Sequence, residues 1–167
     1  LLAHPWVAEA EVRREIPSGL HIIVHEHKPM AIVELDRKYL INTNGQIFKE
    51  LTSEDPVNLP LISGLDSNDI DWADTSAHSA LRQSTGHQGQ SPPDGFGKKP
   101  FEAVMRVLLM NEKARGLLTN RHIKEIQVDR EIGITLKVFK QMKTVVLDYH
   151  NFPLKFRVFK YILAYGK

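Results

Sequence analysis

The sequence contains no cysteine, which excludes disulfide bonds and cysteine-based metal sites. It also has no apolar run approaching the ~20 residues that cross a bilayer, and no visible signal peptide. Neither sign of charge is in large excess, because the net charge is +2 over 167 residues, and the sequence has no dense stripe of Lys and Arg. We therefore expect no nucleic-acid partner, and we expect any export or anchoring segment to lie outside this sequence.

Catalytic motifs are missing as well. The sequence has no G-x-S-x-G, H-E-x-x-H, P-loop or G-x-G-x-x-G pattern. The acidic stretch "DSNDIDWAD" (residues 66–74) lacks the ligand spacing and the central glycine of a calcium loop, so we interpret it as a solvated loop. These absences predict a non-enzymatic binding or scaffold protein with no cofactor, no metal and no small-molecule substrate.

The first segment with a clear pattern is residues 4–31, "HPWVAEAEVRREIPSGLHIIVHEHKPMA". Apolar and polar residues alternate through residues 8–13, turn residues follow at 16–19, and the alternation resumes through residues 20–24. Period-two alternation is typical of a strand with one dry and one wet face. The pattern predicts a β-hairpin that ends at Pro29.

Three histidines of this segment, His21, His25 and His27, are expected on the wet face of the second strand. Imidazoles two residues apart can bind zinc or copper, so a metal-binding protein is one alternative. However, Glu26 is expected on the other face, and no fourth ligand is close in sequence. We therefore favour a solvated sheet face over a metal site.

The rest of the chain alternates strands and helices. Residues 31–35, 39–42 and 46–48 are predicted strands, with a tight turn at Asn44-Gly45. Residues 52–75 are interpreted as a connecting loop, and the Ser-, Gly-, Gln- and Pro-rich residues 76–99 as a mobile loop or insertion.

An amphipathic helix is predicted from Pro100 to Gly116, with Phe101, Val104, Met105, Leu108 and Leu109 as its apolar stripe. Strands are predicted at residues 123–128, 132–139 and 144–147, before a second helix from about Phe152. This order predicts an α+β fold with a mostly antiparallel sheet and two amphipathic helices. On the second helix we expect an apolar side (Leu154, Val158, Tyr161, Ile162, Tyr165) and a basic side (Lys155, Arg157, Lys160).

Several motifs in order resemble the FtsQ/DivIB family of bacterial cell-division proteins. The family pattern of Pro-Trp-Val, V-x-R, a proline turn, L-x-I-x-V-x-E and P-x-A is matched within residues 5–31. "YLINTNGQIF" and "LPLISG" are similar to the family's next hairpin and its L-P-x-L-x-G motif. "REIGITL", "TVVLD" and "FPLKFRVFKYIL" resemble its later strand pair and helix. The resemblance covers nearly the whole chain except the 76–99 loop.

The resemblance implies a single-pass inner-membrane protein at the division septum, with this region on the periplasmic side. In such proteins a POTRA module is followed by a β domain. Residues 1–28 would then be the C-terminal part of the POTRA module, and residues 29–167 the β domain, including the flexible 76–99 loop. The family's final strand would lie beyond Lys167 and is missing from this sequence.

The same resemblance implies a scaffold that recruits other division proteins, such as FtsB- or FtsL-like partners. In the family, FtsB docks by β-strand addition on the final strand. Arg130 corresponds to a basic residue of the partner interface, although a solvated strand arginine is an equal alternative. A POTRA-type module of an outer-membrane insertion or secretion system is the alternative function, and tandem POTRA repeats would favour it.

Overall fold

The computed structural model describes residues 4–55, 58–72, 99–112, 119–138, 143–147, 149 and 152–165. These residues form an α+β fold, as predicted, in which strands dominate. The helices are α1 (Lys99–Glu112) and α2 (Phe152–Tyr165). The strands are β1 (Val7–Glu15), β2 (Gly19–Glu26), β3 (Pro29–Glu34), β4 (Lys38–Asn42), β5 (Gln46–Glu50), β6 (Leu61–Ser63), β7 (Asp71–Trp72), β8 (Ile123–Asp129), β9 (Gly133–Val138) and β10 (Lys143–Leu147).

The predicted first hairpin is confirmed, and it forms a two-stranded sheet of its own from β1 and β2. Val12 pairs with Ile22 and Ala10 with Val24, so their side chains share one face. The predicted dry face is nevertheless not buried, because Val12 is 55% exposed and Ile22 is 44% exposed. Among the described residues no helix or second sheet covers this face.

The remaining strands form one eight-stranded sheet in the order β10-β9-β8-β6-β3-β4-β5-β7. The antiparallel β3–β4–β5 meander matches the prediction, including the turn at Asn44-Gly45. Gly45 has a φ of +79°, which side-chain-bearing residues rarely adopt. Asn42 Oδ1 stabilises this turn by accepting the backbone N–H groups of Asn44 (2.9 Å) and Gln46 (3.0 Å).

The interpretation of residues 52–75 as a mere connecting loop was wrong. Their "LPLISG" contributes β6, which lies in the middle of the sheet and pairs in parallel with β3 and β8. Ile62 of this three-residue strand is fully buried. Gly64 follows it with a φ of +85°, and a Cβ there would lie 2.1 Å from the Val128 carbonyl oxygen. The strand is short and bounded by turn residues, so its alternation is too brief to detect.

The predicted strands of the second half are confirmed as β8, β9 and β10, joined in antiparallel pairs. The 76–99 loop lies outside the described residues, apart from Lys99, where α1 begins. The end predicted for α1 at Gly116 also lies outside them.

Both helices contribute to the main core on one face of the sheet. The predicted stripe of α1 is confirmed, since Phe101, Val104, Met105 and Leu108 are buried against the sheet. Phe156 is the fully buried anchor of α2. On the opposite face, Ile32, Leu40 and Phe48 form a smaller core, and partly buried residues pack against it (Trp6, Leu51, Leu59, Leu61).

Helix α2 turns its predicted apolar side away from the core. Leu154, Val158 and Ile162 are about half exposed or more, whereas Phe156 is buried. Lys160, assigned to the basic side, is half-buried and lies 5.1 Å from the centre of the Phe156 ring. Burial accordingly lowers the pKa of Lys160. The apolar side predicted for α2 is therefore not the side that packs on the sheet.

Candidate partner-binding surfaces

Strand β10 lies at one end of the large sheet and, among the described residues, pairs only with β9. Its outer side therefore offers backbone N–H and C=O groups that no described strand satisfies. The side chains of Thr144 and Val146 are exposed, Val146 at 56%. A short, half-exposed end strand of this kind is a ready template for a further strand.

Arg130, the predicted partner-binding residue, lies in the turn between β8 and β9. Its Nη2 is 2.6 Å from Asp66 Oδ2 and 2.9 Å from Asp69 Oδ2. The guanidinium thus bridges two carboxylates more than sixty residues away in sequence. The arginine side chain remains 46% exposed, so part of it stays accessible to solvent.

The two carboxylates differ in environment. Asp66 is 72% exposed, whereas the side chain of Asp69 is 2% exposed and also accepts the Asp66 backbone N–H at 2.8 Å. The expectation that this acidic stretch is a solvated loop was therefore wrong for Asp69. A buried carboxylate needs a partner, and Arg130 provides the cation. Arg130 is thus part of the fold, whatever else it contacts.

A second set of contacts fixes the turn that carries Arg130. Asp129 Oδ1 accepts the backbone N–H groups of Glu131 and Ile132, each at 2.9 Å, and these bonds lower the pKa of Asp129. The Tyr149 hydroxyl donates to the Asp129 carbonyl at 2.5 Å, and burial raises the pKa of Tyr149. Hydrogen bonds of Asp129 and Glu131, the residues before and after Arg130, therefore fix the backbone of this turn.

The C-terminal end of β10 and the turn that carries Arg130 lie close together in the sheet. Leu147, the last residue of β10, pairs with Ile134, one residue after the β8–β9 turn closes. The β10 edge and the Arg130 turn can therefore belong to one continuous surface. Sequence reasoning named Arg130 but missed Asp66, Asp69 and Tyr149, because no local pattern signals pairs so distant in sequence.

The structure separates the three histidines of the first hairpin. His21 and His25 lie on one face of β2, whereas His27 follows the strand and stacks on Phe48 with ring centres 4.6 Å apart. The placement of all three on one strand face was therefore wrong for His27. Within the described ranges, no group of three or more His, Cys, Asp or Glu side chains is arranged to hold a metal ion.

The described helices are also too short or too polar to cross a membrane. This finding concerns α1 and α2 only.

Comparison with known proteins gives a consistent result. The family model described as "Cell division protein FtsQ/DivIB, C-terminal" matches residues 31–166. The cell division protein FtsQ of Anaeromyxobacter sp. (strain K) is 33% identical over 136 residues, which are 81% of this chain and 39% of that protein. FtsQ of Geotalea daltonii is 29% identical over 133 residues, 80% of this chain and 41% of that protein.

A third relative, FtsQ of Syntrophotalea carbinolica, is 46% identical over 63 residues, which are 38% of this chain and 22% of that protein. The chain thus spans about two fifths of the length of the first two relatives. These matches favour the cell-division interpretation over an outer-membrane insertion or secretion module.

Proposed function

The chain belongs to the FtsQ/DivIB family of bacterial cell division proteins, and we propose that it acts as a non-enzymatic scaffold of the division machinery. In this proposal it recruits a partner such as an FtsB- or FtsL-like protein by β-strand addition. The observation that carries the proposal is the position of β10 at the end of an eight-stranded sheet. Strand addition needs main-chain groups and side-chain pockets, and no cofactor or catalytic group.

Two forms of addition are compatible with this edge. In the first, a partner strand pairs directly with β10. In the second, which the family resemblance favours, the protein's own next strand pairs with β10 and the partner strand pairs with that one. Either way the exposed side chains of Thr144 and Val146 line the surface next to the added strand.

Arg130 is proposed to contact an acidic residue of the partner. Its guanidinium is held by the buried Asp69 and also touches the exposed Asp66. A partner carboxylate can therefore replace Asp66 while the Arg130–Asp69 pair stays intact. Because exposed ion pairs are weak, such an exchange costs the folded protein little.

The β1–β2 hairpin is proposed to be the C-terminal part of a POTRA module. Its apolar face, including Val12, Ile22 and Val24, is exposed in the described structure. An apolar face exposed along two paired strands is typical of a surface that another element covers. In this proposal the complete protein is anchored in the inner membrane by one helix, with the chain on the periplasmic side at the septum.

Peptide binding tests the scaffold proposal. A labelled peptide from the C-terminal periplasmic segment of the FtsB-like protein of the same organism is titrated against this chain. It is also titrated against a form extended by the next residues of its gene. We expect saturable binding to the extended form, and fluorescence anisotropy measures it. Absence of binding to both forms overturns the proposal.

The contribution of Arg130 is tested in the same assay with matched variants. Arg130→Ala should weaken peptide binding at least roughly tenfold, which corresponds to about 1.4 kcal/mol. Asp66→Asn should keep or raise the affinity, because it removes only the exposed competitor of the partner carboxylate. If folded Arg130→Ala binds as well as the unmodified protein, Arg130 is a purely structural residue.

A further inference from the structure

A pocket on the face of the sheet opposite to the two helices carries three cationic side chains around an apolar floor. We propose that this basic pocket is a second docking site, for an acidic peptide segment with one large apolar anchor residue. The pocket has a volume of about 260 Å³ and lies where β3, β4, β6 and the start of β8 meet. The inference does not depend on strand addition at β10.

The floor of the basic pocket is aliphatic. Ile32 of β3 and Leu61 of β6 are paired across neighbouring strands and point to the same face of the sheet. Leu51 and Leu59, from the loop after β5, complete the floor and are only partly buried. Apolar surface left partly open in a concavity gains free energy when a ligand side chain covers it.

The rim of the pocket is cationic. Lys38, Arg121 and Lys124 all line it and are all exposed, and the described lining includes no acidic side chain. Lys38 has one ion pair among the described residues, with its Nζ 3.5 Å from Glu34 Oε1. Even with Glu34 counted, positive charge is in excess at this site, and it favours an acidic occupant.

Size and shape favour a peptide over other anionic ligands. The volume is slightly below the range of roughly 300–1,000 Å³ for small-molecule sites and suits one anchor side chain. A bare phosphate ion would leave the aliphatic floor uncovered. An anionic bilayer is flat on this scale, whereas the aliphatic residues line a concave pocket and are buried or only partly exposed. An apolar anchor flanked by Asp or Glu matches both the floor and the rim.

The basic pocket is separate from the proposed strand-addition edge. In the sheet, β8 is the strand of the pocket nearest to β10 and lies two strand spacings from it, roughly 10 Å at ~4.8 Å per strand. A partner strand on the β10 side therefore leaves the pocket open. The chain can accordingly hold two segments at once, either from one partner or from two.

The test uses a labelled seven-residue probe peptide with a central phenylalanine and three glutamates on each side. The matched peptide has lysines in place of the glutamates. We expect saturable binding of the acidic peptide only. The double variant Arg121→Gln/Lys124→Gln should lose at least roughly tenfold in affinity, because two rim charges are removed. The control Arg106→Gln/Lys28→Gln carries the same charge change at exposed positions outside the pocket and should stay within about twofold.

Further arms separate the alternatives. Leu59→Gln, which alters the partly exposed floor, should weaken the peptide as well, and circular dichroism checks that each variant folds. An equal loss in the control variant would mean diffuse attraction and overturn the site. Displacement by inorganic phosphate at concentrations equal to the peptide would mean a simple anion site. Rim-dependent binding to phosphatidylglycerol vesicles without peptide binding would mean a membrane contact. Both of these results also overturn the proposal.

Discussion

The β1–β2 hairpin and the β8–β9 pair of the large sheet both alternate apolar and polar residues, but they bury the apolar residues to different extents. In the hairpin, the paired Val12 and Ile22 are both about half exposed. In the sheet, the paired Ile126 and Leu136 are fully buried. The alternation therefore decides which residues share a face, whereas a covering element decides whether that face is buried.

The covering elements are visible for the sheet. Helix α1 contributes Val104 and Leu108 to its main core, and α2 contributes Phe156. The hairpin has no such cover among the described residues, although its face is as apolar as a core strand. Two-stranded hairpins are marginal in water on their own, so the free energy that holds the hairpin should differ greatly from that of the sheet.

The largest expected effect is on the free energy of unfolding. It is measured by making the same substitution in each of the two regions. Ile126→Ala removes fully buried methyl groups from the centre of the sheet and should lower the free energy of unfolding by about 2–5 kcal/mol. Ile22→Ala removes the same atoms from a half-exposed site and should cost less than about 1 kcal/mol. Urea unfolding followed by circular dichroism measures both.

The comparison fails if the two variants lose similar stability. A large loss for Ile22→Ala would mean that its face is covered in solution, by a second copy of the chain or by residues outside the described ranges. Sedimentation of the unmodified chain at high concentration distinguishes these cases, since pairing between copies requires a dimer.

An intermediate effect is expected at the Arg130 turn, which belongs to the sheet but lies at its rim. Arg130→Ala leaves the carboxylate of Asp69 buried without its cation. Because the Arg130 side chain is about half exposed, we expect a loss of about 1–2 kcal/mol, below that of a fully buried pair. Urea unfolding at neutral pH measures the loss.

The matched control is Asp66→Asn, which removes the exposed member of the same cluster. It should change the free energy of unfolding by less than about 0.5 kcal/mol. If both variants lose equal stability, the distinction between the buried and the exposed carboxylate is wrong. If neither does, Arg130 does not compensate the buried charge.

Most of the sheet was predictable because most of its strands are apolar or alternating runs of at least five residues, separated by turn residues. The meander from β3 to β5 and the strands β8 to β10 each carry several alternations or a strong turn signal. Strand β6 was missed because three residues between Pro60 and Gly64 show no period. Its place between β3 and β8 depends on parallel pairing over long sequence separation, which local patterns do not encode.

Side-chain environments were harder to predict than elements. The histidines were assigned to one wet face, but β2 ends at Glu26 and leaves His27 to pack on Phe48. Asp69 was assigned to a solvated loop, but its cation comes from Arg130, 61 residues away. In both cases the deciding contact is tertiary, so the residue type and its neighbours in sequence were insufficient.

The hairpin and the sheet meet at a small junction of aromatic rings. Trp6 packs edge-on against Phe48 at 5.5 Å, and His27 stacks on the same ring. The His27 backbone N–H donates to the Trp6 carbonyl at 2.8 Å. Asn42 Oδ1 already accepts two backbone N–H groups, so its Nδ2 amide donates to His27 Nδ1 at 3.1 Å. This contact requires an unprotonated Nδ1, and the junction therefore favours neutral His27.

The smallest expected effect is a pH dependence of this junction. Burial lowers the pKa of His27 below its ordinary value of 6.5, so folding favours the neutral ring. Its contribution is therefore fully present above pH 6.5 and is lost as the pH falls from 6.5 through the folded pKa. Between pH 7.5 and 5.5 the unmodified chain should lose more stability than His27→Phe, by up to about 1 kcal/mol, because phenylalanine keeps the stacking without titrating. Urea unfolding at both pH values measures this difference. An identical pH dependence for His27→Phe and the unmodified chain would show that the fold does not hold His27 neutral.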